Sequence, residues 1–148
     1  MNKRLIEAVE LFEDVMVYGT ERVMKSLDDP IWKEYSPEQI EVLKMIGKHG
    51  QMPAGQLASM QCVHKSAISN RLKKLQEKEL VRIVKSTEDQ RTKLVELTEA
   101  GKEVVKQSDK VLYEYIEKLF SNRIGDEELD QFVMMFRKIK EILKLDGV

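Results

Sequence analysis

The chain of 148 residues is 42% apolar and 34% charged, so it can bury one core and fits a single unit, 1–148, with helical extensions. Its net charge of −1 neither requires nor excludes a polyanionic partner. One cysteine and two histidines predict no disulfide, no metal site and no cofactor, and charged residues that interrupt every apolar run predict a cytoplasmic protein without a signal peptide or a membrane span.

A long first helix is predicted from Lys3 to about Leu27, because its apolar residues recur at spacings of three and four. They form one stripe of Leu5, Val9, Phe12, Met16, Gly19 and Val23, and a second stripe of Leu11, Val15 and Tyr18. This apolar surface is too wide for a helix that stands alone in water. The run Asp28-Asp29-Pro30 is predicted to end the helix.

A second helix is predicted to begin at Ser36 and to end at Gly50. Ser36 would cap it, Pro37 would occupy its first position, and Gln39 would complete a capping box. Its inward residues are Ile40, Leu43 and Ile46.

A helix-turn-helix follows. A short third helix opens at Pro53, with Leu57 and Ala58 facing inward, and ends at the turn 61–63. A fourth helix runs from about His64 to Lys78. Two short helices joined by a tight turn are typical of this motif.

After Leu80 the period becomes alternating, which predicts a two-stranded hairpin. In the first strand Val81 and Ile83 face one way, and Arg82 and Val84 face the other. The polar tip is predicted to span 85–92. In the second strand, 93–97, Val95 and Leu97 lie on one face. Thr98 is predicted to cap the next helix, which continues to Leu119. Gly125 and Asp126 are predicted to separate this helix from the last one. The last helix carries a stripe of Leu129, Phe132, Val133, Phe136, Ile139 and Leu143.

Basic residues are concentrated in the fourth helix and the hairpin. Residues 64–93 contain nine basic and four acidic residues, a net of +5, whereas the rest of the chain contains 16 basic and 22 acidic residues, a net of −6. Such a concentration is expected of a surface that faces nucleic acid phosphates. The alternative is a row of lysines and arginines that only keeps a surface helix solvated.

The fourth helix is predicted to turn Ile68, Leu72 and Leu75 toward the core. Its candidate DNA-contacting residues, on the outward face and flanks, are Lys65, Ser66, Ser69, Asn70, Lys73 and Lys74. Short hydrogen-bonding side chains followed by lysines suit a helix whose N-terminal half meets base edges in the major groove. His64 is predicted to cap or pack rather than to read bases.

The hairpin tip supplies two further candidates, Asp89 and Arg91. Asp89 is predicted to hold Arg91 by a charge-assisted bond. A planar, weakly hydrated guanidinium suits the narrow and electronegative minor groove. The alternative is an ordinary solvated turn.

These residues also resemble a known family. The run Asp89-Gln90-Arg91, followed by Val95, Leu97-Thr98 and Gly101, resembles the D-x-R…L-T-x-x-G signature of the MarR family of winged-helix transcriptional regulators. Further matching positions are Gln39, Leu43, Leu57-Ala58, Ile68-Ser69, Leu75 and Leu80-Val81. The match is strong from about Ser36 to Gly101 and architectural toward both ends. Glu79 stands where the family commonly has a glycine, so it is predicted either to be strained or to end the helix differently.

The resemblance implies a mainly α fold with a small β-hairpin wing. Residues 36–98 would form a winged helix-turn-helix DNA-binding lobe, and 1–35 and 99–148 an intertwined dimerisation region. It also implies a homodimeric repressor of a pseudo-palindromic operator in double-stranded DNA. The wide apolar stripes of the end helices independently favour a dimer, the alternative being that they pack on each other within one chain. The other function considered is a winged-helix protein interaction module without DNA binding, which would have a neutral fourth helix and wing.

The resemblance further implies release from DNA by a small aromatic or other lipophilic ligand. Met16, Tyr18, Arg22 and Trp32 lie near the expected junction of lobe and dimerisation region, but they are equally candidates for the core, so no effector site is assigned. Cys62 is predicted to be a small buried hydrophobe rather than a redox sensor. The sequence contains no phosphate-binding glycine loop and no nucleophile with a matching base, which predicts that the protein is not an enzyme.

Overall fold

The computed structural model describes residues 1–144, so the last four residues of the predicted dimerisation segment 99–148 lie outside the described part of the chain. Two compact units are formed, Met1–Leu112 and a second from Tyr113 onward. The assignment of 1–35 and 99–148 to dimerisation and of 36–98 to DNA binding stays a prediction.

The first unit holds most of the secondary structure. Its elements are α1 (Lys3–Ser26), α2 (Pro30–Glu34), α3 (Pro37–His49), β1 (Met52–Pro53), α4 (Ala54–Met60), α5 (Lys65–Glu77), β2 (Val81–Lys85), β3 (Lys93–Leu97) and the beginning of α6 (Glu99–Phe120). The second unit holds the end of α6 and α7 (Asp126–Lys144). The predicted fold class is confirmed: the chain is mainly α-helical with a small β wing.

The capping box predicted at the start of α3 is confirmed. The Ser36 hydroxyl accepts a hydrogen bond from the backbone N–H of Gln39 at 3.1 Å, and the Gln39 side chain accepts one from the backbone N–H of Ser36 at 3.1 Å. Pro37 lies in the first turn, where backbone N–H groups have no acceptor within the helix, so proline loses no hydrogen bond there. Such a cap contributes about 1 kcal/mol and fixes the end of the helix that carries Ile40, Leu43 and Ile46 into the core.

The helix α2 was not predicted from the sequence. Asp29, which was expected only to end the first helix, caps α2 by accepting a hydrogen bond from the backbone N–H of Ile31 at 3.0 Å. Ile31 and Trp32 then pack against the buried core. A helix of five residues is too short to show a helical period, so only its tertiary contacts reveal it.

The sheet has three antiparallel strands in the order β1-β3-β2, so the prediction of a two-stranded hairpin was incomplete. In β2 and β3, Val81 faces Leu97 and Ile83 faces Val95. The short strand β1 pairs with the other edge of β3, where Met52 faces Val95. We call residues 81–97 the wing and residues 86–92 its tip. Lys85 belongs to β2 rather than to the tip.

One core joins α3, α4, α5 and the sheet. Its buried apolar residues are Tyr35, Ile40, Val42, Leu43, Ile46, Met52, Leu57, Ala58, Ile68, Leu72, Leu75, Leu80, Val81, Val95, Leu97 and Val104. Ile68, Leu72 and Leu75 were predicted as the inward face of α5, and Val95 and Leu97 as that of β3, and all five are buried. This core fixes α5 and the wing on one lobe.

Thr98 connects the wing to α6, as predicted. Its hydroxyl accepts from the backbone N–H of Gly101 at 3.1 Å and donates to the backbone carbonyl of Glu79 at 2.6 Å. Its own N–H donates to the carbonyl of Leu80 at 3.0 Å. The first turn of α6 is therefore tied directly to the chain that leaves α5.

Both helices of the helix-turn-helix end in the same way. After α5, Glu79 adopts a left-handed φ of 59°, and the N–H groups of Glu79 and Leu80 return to the carbonyls of Gln76 and Leu75 at 2.9 and 3.0 Å. This pair of bonds defines a Schellman motif, so Glu79 takes the strained option at a cost of about 1 to 2 kcal/mol. After α4, Cys62 has a φ of 52° in an equivalent motif. Cys62 is exposed, so the prediction of a buried hydrophobe was wrong.

The helices α1 and α7 contain no buried residue. On α7 the stripe predicted from the sequence is exposed along its length, from Leu129 to Leu143. On α1 the exposed apolar residues include Leu5, Val9, Phe12, Val15, Met16 and Tyr18. An exposed apolar stripe along a whole helix is uncommon on a monomer and marks an interaction surface.

Candidate nucleic-acid interface

The outward face of α5 is solvent-exposed as predicted. Lys65, Ser66, Ser69, Asn70, Lys73 and Lys74 are all exposed, while the opposite face of the same helix is buried in the core. The short polar side chains stand on the first half of the helix and the lysines flank and follow them. This arrangement fits a helix that enters the major groove by its N-terminal half, with ammonium groups at the level of the phosphates.

His64 does not have the role that was predicted for it. It occupies the N-cap position of α5, but its side chain makes no capping hydrogen bond and is exposed rather than packed. Its backbone carbonyl does accept the first bonds of the helix, from the N–H groups of Ala67 and Ile68 at 3.1 and 3.4 Å. The imidazole is thus left at the solvent side of the helix start.

The turn between α4 and α5 is fixed by a pair of side chains. Arg71 donates from Nη1 to the side-chain oxygen of Gln61 at 3.0 Å, which links α5 to the residue that ends α4. The amide nitrogen of Gln61 is buried and has no hydrogen-bond partner among the described residues. Arg71 was counted in the basic segment, but its guanidinium is engaged within the protein and contributes less to an outward surface than the lysines do.

The tip of the wing is built around Asp89. One carboxylate oxygen accepts from the backbone N–H of Arg91 at 3.0 Å, and the other accepts from the hydroxyl of Thr92 at 3.2 Å. Across the tip, the N–H of Ser86 donates to the carbonyl of Thr92 at 2.9 Å. Asp89 and Arg91 are both exposed.

The charge-assisted bond predicted between Asp89 and Arg91 is formed, but its donor is the backbone N–H of Arg91 and not the guanidinium. Within residues 1–144, no carboxylate lies within 4.0 Å of the Arg91 guanidinium. The carboxylate therefore shapes the loop, and the guanidinium projects from it with its donors free for another partner.

A polar row that the sequence did not reveal crosses the sheet. Arg82 of β2 donates to the Glu96 carboxylate of β3, and the Gln51 amide donates to the same carboxylate from the residue before β1. The hydrogen bond from Arg82, and next the one from Gln51, hold the pKa of the Glu96 carboxyl below its usual value. The alternation of β2 placed Arg82 outward, but only the register of all three strands brings these side chains together.

Two cations tie the lobe to the segment around α2. The Lys78 ammonium lies 4.6 Å from the centroid of the Tyr35 ring and donates to the backbone carbonyl of Glu34 at 3.4 Å. The Lys44 ammonium lies 5.7 Å from the centroid of the Trp32 ring and 2.6 Å from the Asp109 carboxylate. Such contacts contribute about 0.5 to 1 kcal/mol each at exposed sites.

The residues proposed near an effector junction are not gathered at one place. Tyr18 and Arg22 share an open depression on α1 with Glu21, Lys25 and Ser26. Trp32 packs against the core of the lobe, and Met16 is exposed on α1. No effector site is defined by these four side chains.

Two kinds of structural feature are absent from the described residues. Among residues 1–144, no group of three or more His, Cys, Asp or Glu side chains is arranged to hold a metal ion. In the same range no helix is both long enough and apolar enough to cross a membrane.

The fold and this surface define a winged helix-turn-helix protein. The sequence profile of the MarR family matches residues 35–93. The HTH-type transcriptional regulator YdgG of Bacillus subtilis (strain 168) is 36% identical over 144 residues, which cover 96% of this chain and 94% of YdgG. The chain therefore belongs to the MarR family, whose members are DNA-binding transcriptional regulators.

Solved structures show the same fold. A MarR family protein from Bacillus stearothermophilus superposes with a TM-score of 0.79 at 17% identity, covering 97% of this chain and 99% of that one. Staphylococcus aureus MarR in complex with salicylate and kanamycin gives 0.74 at 21% identity, covering 96% and 95%. A cysteine-to-serine mutant of Escherichia coli MarR complexed with operator DNA gives 0.66 at 18% identity, covering 92% and 95%.

Proposed function

We propose that this chain is a cytoplasmic, homodimeric repressor that binds a pseudo-palindromic operator in double-stranded DNA. One observation carries the proposal: all eight candidate contact residues are exposed, six on the outward side of α5 and two on the wing tip, within the segment of net charge +5. In this assignment Ser66, Ser69 and Asn70 meet base edges. Lys65, Lys73 and Lys74 contact phosphates, and Arg91 enters the minor groove, in a loop shaped by Asp89.

The alternative function is a winged-helix protein interaction module that does not bind DNA. Such a module has no need of an exposed basic helix face, nor of a guanidinium that projects from the wing tip with no carboxylate of residues 1–144 within 4.0 Å of it. The exposed lysines of α5 and the free guanidinium of Arg91 favour the DNA-binding function.

The dimer in this proposal is supported by the exposed apolar faces of α1 and α7. A twofold dimer places two copies of α5 over half-sites one helical turn apart, which is why a pseudo-palindromic site is expected. Fully burying one Phe or Leu side chain contributes about 1.5 to 3 kcal/mol, so a few residues from each stripe suffice for a stable interface.

We further propose that a small aromatic or lipophilic ligand releases the protein from DNA. The complex of Staphylococcus aureus MarR with salicylate motivates the class of ligand. Salicylate added to the protein–operator complex is the first probe, read as a loss of fluorescence anisotropy from labelled duplex. The same addition to free duplex is the control.

A salt titration tests DNA binding directly. Affinity for duplex, measured by fluorescence anisotropy, should fall linearly on a log–log plot against salt. A dimer that neutralises about six phosphates should lose on the order of a thousandfold between 50 and 200 mM salt. Lys73→Gln should reduce the slope by about one unit for each phosphate that is no longer neutralised, whereas Lys138→Gln on α7 should leave it unchanged. A flat plot would reject the DNA-binding function.

Base reading by α5 is tested with Asn70→Ala. After selection of a preferred operator from random duplexes, this substitution should cost about 1 to 3 kcal/mol on that operator and little on random duplex, because an amide that reads a base edge contributes only at the correct base pair. Asn122→Ala, the same change in the turn between α6 and α7, is the matched control. Equal losses on both duplexes would show that Asn70 does not read sequence.

A further inference from the structure

Three polar side chains form a row across the sheet at the root of the wing. Arg82 of β2 is registered with Glu96 of β3, and because Met52 is registered with Val95, the preceding Gln51 falls beside Glu96 on the other edge. Glu96 lies between the buried residues Val95 and Leu97, so its side chain is on the solvent face of the sheet. Its carboxylate accepts from both neighbours.

The core anchors the wing through Val81, Val95 and Leu97, but the strand ladder adds few bonds at the β1 edge of β3. The strand β1 contains only two residues, and one of them is Pro53, which has no N–H to donate to the ladder. In the described part of the chain, the hydrogen bonds made by tip side chains close within residues 86–92. A two-stranded hairpin is marginally stable by itself, so its direction depends on what its root is tied to.

We propose that the row of Arg82, Glu96 and Gln51, which we call the wing clamp, is a positioning device that fixes the wing relative to the helix-turn-helix. By holding both edges of β3, the clamp sets where Arg91 stands with respect to α5. The inference rests on the proposed function for the role of Arg91, while the clamp itself is a property of the free protein. The lowered pKa of Glu96 agrees with a carboxylate that stays ionised between its two donors.

A positioning role and a purely electrostatic role of Glu96 predict opposite changes in DNA affinity when Glu96 is replaced by alanine. Glu96 is a carboxylate close to a surface that binds a polyanion, so its removal should tighten DNA binding if only charge matters, and would also free the Arg82 guanidinium for a phosphate. If Glu96 positions the wing, its removal should weaken binding although the protein becomes more positive. The side chains of Arg82 and Glu96 are 57% and 20% exposed, which limits the expected loss to that of a surface ion pair.

The test compares Glu96→Ala with Glu88→Ala, which removes a carboxylate from the same wing at its tip. Affinity for the selected operator is measured by fluorescence anisotropy at fixed salt. Glu88→Ala should bind as the unmodified protein does or slightly more tightly. Glu96→Ala should bind roughly three- to fivefold more weakly than Glu88→Ala. Gln51→Ala, which changes no charge, should give a smaller loss in the same direction.

A double-mutant cycle with Arg91→Ala separates positioning from general destabilisation. If the clamp acts through Arg91, Glu96→Ala should have no further effect on affinity once Arg91 is gone. A loss of the same size in both backgrounds would overturn the proposal, because a general loss of stability does not require Arg91. Operator binding by Glu96→Ala as tight as that of Glu88→Ala would overturn it as well.

Amide hydrogen exchange of the DNA-free protein tests the clamp independently of the proposed function. Exchange of the N–H groups of β3 should become faster in Glu96→Ala and remain unchanged in Glu88→Ala. Unchanged exchange in Glu96→Ala would reject the clamp even in a protein that binds DNA. If the unmodified protein shows no preference for any duplex, the proposed function fails and the exchange result alone decides on the clamp.

Discussion

Replacing Gly101 with alanine is expected to cost about 3 kcal/mol of folding free energy, near the upper end for overpacking substitutions. A Cβ at this position would stand 2.1 Å from the backbone carbonyl oxygen of Leu80 and 3.1 Å from its carbon. Backbone atoms cannot rotate away as a side chain does. The first turn of α6 would therefore have to separate from the end of α5, and the hydrogen bonds that Thr98 donates to the carbonyls of Glu79 and Leu80 would break.

Gly55→Ala provides the matched control, because it makes the same chemical change in a helix of the same lobe. Its Cβ would meet only the Cε of Lys65, at 3.9 Å, which is ordinary contact distance. Alanine favours a helix over glycine by up to about 1 kcal/mol, so this variant should be unchanged or slightly more stable. Chemical denaturation followed by circular dichroism measures the folding free energy of both variants. Similar midpoints for the two variants would show that the close approach at Gly101 does not limit stability.

Gly101 belongs to the part of the fold that could be predicted from local sequence patterns. Gly101 follows Thr98 at the spacing of a capped first turn, and the Ser36 capping box and the inward face of α5 are equally local patterns. Local patterns of this kind depend on residues three or four positions apart, which the sequence displays directly. The positions of α1, α3, α5, α7 and the wing strands were predicted to within two residues or so for this reason.

The remaining features depend on contacts that the sequence does not display. The strand β1 forms because Met52 pairs with Val95, which is far along the chain. The helix α2 is stabilised because Ile31 and Trp32 pack against the core. The exposure of Cys62 follows from the left-handed backbone of the turn, where a buried side chain was expected.

In the candidate site, residue types were easier to predict than hydrogen-bond partners. Exposure of the α5 face followed from the helical period, since the opposite face is apolar. The partner of Asp89 did not follow, because a carboxylate two residues before an arginine can bind either its side chain or its N–H. The loop geometry selects the N–H, at 3.0 Å. Likewise, the Arg82–Glu96–Gln51 row required the strand register.

Replacing Phe132 with aspartate is expected to convert the proposed dimer into monomers. Phe132 is 56% exposed in the single chain and stacks on Phe136, with ring centroids 4.3 Å apart, within the apolar stripe of α7. In a dimer that covers this stripe, the substitution removes about 1.5 to 3 kcal/mol of apolar burial from each copy and places an unpaired carboxylate in the interface. The dissociation constant should rise by at least about a hundredfold.

Sedimentation velocity at micromolar concentration measures this shift, and Gln131→Asp controls for the added charge and for the low helix propensity of aspartate. Gln131 lies outside the apolar stripe on the same helix, so its variant should remain dimeric. Monomeric Phe132→Asp should also bind the selected operator much more weakly than the unmodified protein, because two linked lobes gain from effective concentration and single lobes do not. A dimer that survives Phe132→Asp would place the interface elsewhere, and a monomeric unmodified protein would reject the homodimer itself.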